Sequence, residues 1–110
     1  MAKIEATKEI QDKLFEIIGL SKSTGKIKKG SNEVTKSLER GTAKLVIIAK
    51  DVSPAEITMH LPLLCEEKKI KCYEVPSKAD LGASCGMELA TVAIAIIQEG
   101  EAKKILDELA

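Results

Sequence analysis

The apolar positions of the chain change period several times. From Thr7 to Ile18 they recur at helical spacing, with Ile10, Leu14, Ile17 and Ile18 on one side, and Gly19 with the run Ser21 to Gly25 predicts the end of that helix. A short extended segment covers Lys26 to Lys28. Val34 and Leu38, four apart, then predict a second helix that Gly41 terminates. Ala43 to Ala49 (AKLVIIA) is a near-continuous β-branched run, the pattern of a central strand covered on both faces. Ser53-Pro54-Ala55-Glu56 combines a helix cap, a proline at the first helical position and a glutamate three residues past the cap, so a third helix is expected to begin there. Pro62 is expected to break or kink it into two pieces ending near Lys69. Cys72 to Val75 forms a short strand, and Ser77-Lys78-Ala79-Asp80 is another capped start, of a brief helix stopping around Gly82 to Gly86. Val92 to Ile97 is a second apolar strand, and Ile105, Leu106 and Leu109 line a last helix. Strands alternating with helices through short connections predict an α/β protein, a three-layer α-β-α sandwich around about four strands.

A chain of 110 residues is the size of one domain, 1–110, and buries about two-thirds of its unfolded surface. Its 45% hydrophobic and 31% charged residues are a globular composition, without an apolar run of bilayer length. The start, MAKIEATKEI, is amphipathic and contains acids, unlike a secretory signal, so a soluble, cytoplasmic protein is expected. Cys65, Cys72 and Cys85 show no Cys-x-x-Cys and fit no common zinc pattern; Cys65 and Cys72 flank apolar positions and are expected in the core. His60 is the only histidine. It falls in the helical stripe Ile57, Leu61, Leu64, which suits a packed or partly exposed role better than a catalytic or metal-binding one.

The formal net charge is zero, which by itself argues against a polyanionic partner. Its distribution changes that picture. Residues 22–50 carry eight basic and two acidic side chains, against three and four in 1–21 and six and eleven in 51–110. A basic segment in an acidic remainder can steer a polyanion while limiting nonspecific adhesion.

Within that segment, Lys26 to Arg40 (KIKKGSNEVTKSLER) sets three lysines before Gly30 and a polar run, Ser31-Asn32-Glu33, that supplies a helix cap. A helix N-terminus offers unpaired N–H groups and partial positive charge to an anion, and Gly30 lets a ligand backbone approach. Asn32 and Lys36 share a helix face. With Glu33 they form a mixed donor and acceptor set that matches base edges better than phosphates alone. The plainer alternative is an ordinary solvated first turn, since lysine-rich caps are common.

Other chemistries find less support. Gly19 to Ile27 (GLSKSTGKI) has five residues between its glycines and isoleucine after the lysine, so it fails the phosphate-binding P-loop pattern. No nucleophile elbow, triad or acid pair suggests catalysis, no cofactor is implied, and no enzymatic activity is expected. Phe15 and Tyr73 are the only aromatic residues, too few for a base-stacking platform. An RNA partner would have to be read as a folded shape.

The Lys26–Arg40 segment, together with AKLVIIA, HLPLLCEEK (His60 to Lys68) and SKADLGASCG (Ser77 to Gly86), resembles archaeal large-subunit ribosomal protein L7Ae and its relatives, which bind kink-turn RNA. The resemblance covers residues 10 to 106 in order, and Gly-Ser-Asn-Glu-Val-Thr-Lys is its most specific element. It implies an α-β-α sandwich and, as ligand, a sharply bent RNA with tandem sheared G·A pairs and an extruded nucleotide. By this resemblance Asn32, Glu33 and Lys36 contact guanine edges, Lys29 and Gly30 approach the backbone, and Ser31 stands at the cap. Lys78 is a further RNA-contacting lysine, Ile57 lines the extruded nucleotide's pocket, and Met87-Glu88-Leu89 closes over the RNA, unless it is merely a connector. Ala90 stands where relatives often have proline, and Ile70-Lys71-Cys72 replaces Ile-Pro-Tyr. The implied partners are ribosomal RNA, box C/D and H/ACA guide RNAs, ribonuclease P RNA and other ribonucleoprotein proteins, with a monomer and no membrane. The rival is a protein-interaction module of the same fold that does not bind RNA.

Overall fold

In the computed structural model, which describes residues 3–54 and 56–109, β3 (Leu45–Ala49) is buried along its whole length. Leu45, Ile47 and Ala49 face one hydrophobic cluster while Val46 and Ile48 face another, as the two-residue period of a strand requires. Helices must therefore cover both faces. On one side lie α1 (Lys8–Thr24), α4 (Lys78–Ser84) and α5 (Lys103–Leu109), contributing Leu14, Ile17, Ile18 and Leu81, with Ile105, Leu106 and Leu109 more peripheral. On the other, Val34 and Leu38 of α2 (Ser31–Glu39) meet Leu61 and Cys65 of α3 (Glu56–Glu67). The expected α-β-α sandwich is the observed architecture.

The sheet has five strands among the described residues, in the order β1-β4-β3-β5-β2, with β4 at Cys72–Val75, β5 at Ala93–Gln98 and β2 at Lys26–Lys29. The strand beyond the expected four is β1, Ile4–Glu5, parallel to β4 with Ile4 opposite Tyr73. Two residues are too short for any periodic signal. They are held by Lys3, whose ammonium lies 2.7 Å from the largely buried Glu74 carboxylate.

Two helix boundaries differ from expectation. α1 begins as foreseen, Thr7 accepting from the Ile10 N–H, but runs past Ile18 to Thr24. Its polar last turn stays helical because Ser23 and Thr24 return their hydroxyls to the Gly19 and Leu20 carbonyls, while buried Ser21 donates to the Glu99 carbonyl. α3 is one helix with Pro62 inside it, ending at Glu67 and not as two pieces reaching Lys69. Leu61 and Cys65 on either side of the proline are fully buried, and this packing holds the helix continuous. Of its expected capped start, Ala55 lies outside the described residues, and the helix begins at Glu56. Cys65, Cys72 and Cys85 are buried, and sharing a hydrogen bond with Cys65 pushes the Cys72 thiol up, so that it stays protonated. Among the described residues no helix is long and apolar enough to cross a membrane.

Across the sheet ends, Lys44 Nζ donates to Glu99 Oε1 at 2.8 Å and holds that carboxyl below its ordinary value of 4.5. The folded protein thus binds a proton there less readily than the unfolded chain. The resulting stabilisation is present above the ordinary value and is lost as pH falls through the lowered folded one. Lys44→Met should be slightly less stable at neutral pH and lose less stability on acidification from about pH 6 to about pH 3, as measured by urea denaturation at each pH.

Candidate nucleic-acid interface

Because β1, β2, β3 and β4 run in one direction and β5 in the other, Lys29, Ala49, Val75 and Ala93 end or begin their strands on the same rim of the sheet. α2, α3 and α4 follow β2, β3 and β4, and residues 86–92 enter β5 there. Every candidate residue is carried by one of these segments. The carboxyl ends of strands are where open α/β sheets present ligand sites.

The turn from β2 into α2 is made at Gly30, with φ 93° and ψ 151° and its N–H donated to the Ala93 carbonyl at 2.9 Å. A side chain would have space at Gly30, since nothing lies within 4 Å of a Cβ placed there, but L-residues avoid this backbone conformation. Gly30 is therefore the helix cap, and Ser31, expected in that position, is already helical. Its hydroxyl points sideways and donates to the Ile57 carbonyl on α3. No side chain caps α2, which leaves its first-turn amides available to a ligand. A second tie lies one turn on, where Thr35 Oγ1 is 2.7 Å from His60 Nε2 and donates to the Ser31 carbonyl at 2.8 Å.

These two ties shape a concavity of about 530 Å³ that gathers the consecutive residues Lys29 to Glu33 with Ile57, His60 and Val92. Six of the sequence-derived candidates thus share one wall. Lys29 and Asn32 are exposed and Glu33 half-buried, so the chemistry of the motif points outward. Lys36 stands just outside the hollow, its Nζ 3.6 Å from Glu33 Oε1. Such an exposed pair is worth little and can be exchanged for a ligand at small cost.

The other candidates share the rim but not the hollow. Lys78 opens α4, its N–H bound to Asp51 Oδ1 at 2.8 Å and its carbonyl accepting from Thr91 at 3.2 Å. The expected closing triplet divides. Met87 packs against the α1-side core, whereas Glu88 is exposed and Leu89 is 75% exposed. Gly82 lets this loop lie directly on α4, because a methyl group there would meet the Leu89 carbonyl. His60 and Val92 were absent from the sequence-derived set. His60 had a usable signal, three residues past Ile57 and hence on its helix face; Val92 had none beyond preceding a strand.

The profile of the ribosomal protein L7Ae/L30e/S12e/Gadd45 family matches residues 12–106. The chain belongs to this family. A solved structure described as the Giardia lamblia 15.5kD RNA binding protein is similar over 94% of this chain and 87% of that one, with a TM-score of 0.89 and 36% sequence identity. The L7Ae-family match spans the whole wall of the hollow, from Lys29 to Val92.

Replacing Ser31 with Ala removes the first of the two α2–α3 ties without altering the cap. It should cost about 1 kcal/mol of stability, read from the denaturation midpoint at unchanged denaturant slope.

Proposed function

We propose that this protein is a non-catalytic RNA-binding protein that recognises and stabilises kink-turn motifs in ribosomal RNA and in box C/D, H/ACA and ribonuclease P RNAs. In this reading residues 1–110 are a single kink-turn domain acting as a cytoplasmic monomer, a constituent of the large ribosomal subunit and of guide ribonucleoproteins. The observation that carries the proposal is the rim hollow, in which Lys29 to Glu33 and Ile57 surround a helix start that no side chain caps. Membership of the family and 36% identity to a protein described as RNA binding support it.

Each group has a distinct part. Lys29, Gly30 and the α2 amides receive the phosphate backbone, as a helix N-terminus favours. Asn32 offers a donor and an acceptor, Glu33 accepts from base amino groups, and Lys36, released from Glu33, donates to guanine O6 or N7. Ser31 holds Ile57 in place as an apolar wall for the extruded nucleotide. Lys78 and the exposed Glu88 and Leu89 extend the contact along the rim, with Met87 anchoring their loop. No bond is made or broken. Binding energy shifts a bent and extended RNA equilibrium toward the bent form and presents that form to further ribonucleoprotein subunits.

A second reading, a protein-binding module of the same fold, draws on exposed Met59 and Leu63 of α3. Titration of a kink-turn RNA and of its G·A-disrupted control separates the two. The RNA reading expects saturable, selective binding; no binding, or equal affinity for both RNAs, sinks it. Asn32→Ala and Glu33→Ala should each lose about 1–3 kcal/mol of kink-turn affinity with an unchanged unfolding midpoint. Lys29→Ala should weaken both RNAs alike and reduce the slope of log affinity against log salt by about one.

A further inference from the structure

One hydrogen-bonding side chain of the hollow has no part in the scheme above. His60 is exposed on α3, one turn beyond Ile57, and its Nε2 lies 2.7 Å from the Thr35 hydroxyl. That hydroxyl has a single proton, which goes to the Ser31 carbonyl at 2.8 Å. Thr35 can then only accept from its second neighbour, so His60 carries its proton on Nε2. In the neutral ring the remaining nitrogen, Nδ1, is an acceptor. The backbone of α2 thus dictates the tautomer of a residue on α3, through one threonine.

This gives the hollow a second uncharged side-chain acceptor, on α3, facing the helix that carries the Asn32 amide oxygen. Lys29 only donates, and Glu33 accepts as an anion; Nδ1 of a neutral imidazole is an uncharged acceptor. A phosphodiester has no proton to offer it. The neutral donors that RNA does carry are nucleobase amino and ring N–H groups and ribose 2′-hydroxyls.

We infer that His60 is a ligand-contacting residue of this site, its Nδ1 accepting a hydrogen bond from a nucleobase N–H or a ribose 2′-hydroxyl in the tautomer that Thr35 imposes. The inference rests on the RNA-binding reading and adds to it a contact that distinguishes neutral RNA groups from backbone charge.

The decisive variant is His60→Gln, whose amide N–H can replace Nε2 as donor to Thr35 while the Nδ1 acceptor is deleted. His60→Asn is its complement, offering an amide oxygen near the Nδ1 position without reaching Thr35. With a kink-turn RNA at fixed salt, the Gln variant should bind about five- to tenfold more weakly than the parent, and the Asn variant should recover part of that loss. A set of RNAs lacking single 2′-hydroxyls, single exocyclic amino groups or single base ring N–H groups identifies the donor. At one position the deletion should weaken the parent by the same factor yet leave the Gln variant unaffected. Parent-like affinity of the Gln variant, or a loss equal against every modified RNA, overturns the contact and leaves the RNA-binding reading standing. Failure of the parent to bind any kink-turn overturns both. Because the coupling is a ratio within each protein, it decides the matter even where a variant is less stable.

Discussion

A strand that is apolar on both faces must be sandwiched, and much of this molecule follows from meeting that demand for β3. Val46 and Ile48 require helices on one side, and Leu45, Ile47 and Ala49 on the other. Connecting those helices to parallel neighbours fixes the direction of four strands, and with it the rim where their following helices begin. The hollow is a by-product of the core. Its residues come from segments far apart in the chain, and all but Gly30 and Val92 lie in helices or strands.

The electrostatic logic is equally local. A chain with no net charge concentrates cations before α2 and spends none of the uncapped amides of that helix on its own side chains. In the proposed reading long-range attraction is correspondingly modest, and discrimination would fall to short-range groups: an amide, a carboxylate and an ammonium on α2 beside an apolar wall and an imidazole on α3. The hydrogen bonds from Ser31 to Ile57 and from His60 to Thr35 fix the spacing of those two helices before any ligand arrives. Preorganisation of this kind lowers the ordering cost of association.

The elements with strong periodicity were legible in the chain: the β3 run, the apolar face of α1, the Ser77 cap whose hydroxyl accepts from the Asp80 N–H, and the alternation that implies a sandwich. What escaped was what local pattern cannot encode. β1 is too short to have a period. The last turn of α1 looks like a loop because its serines and threonine favour loops in isolation, and only their bonds within the helix and to Glu99 make it helical. Pro62 was weighed by its intrinsic cost and not by the burial of its neighbours. Within the site, the Gly-Ser-Asn-Glu motif was visible, but which of its first two residues caps the helix depended on the direction in which β2 delivers the chain.

The position of β2 at the open margin of the sheet has another effect. An unpaired strand edge invites pairing with another chain, and such edges drive aggregation unless they are blunted. Among the described residues the sheet has two, one ending in the two-residue β1 and the other in β2, whose sequence is Lys-Ile-Lys-Lys. The lysines that in the proposed reading attract a polyanion to the hollow therefore also repel an identical neighbour, so that one set of charges both guards the edge and would draw the ligand.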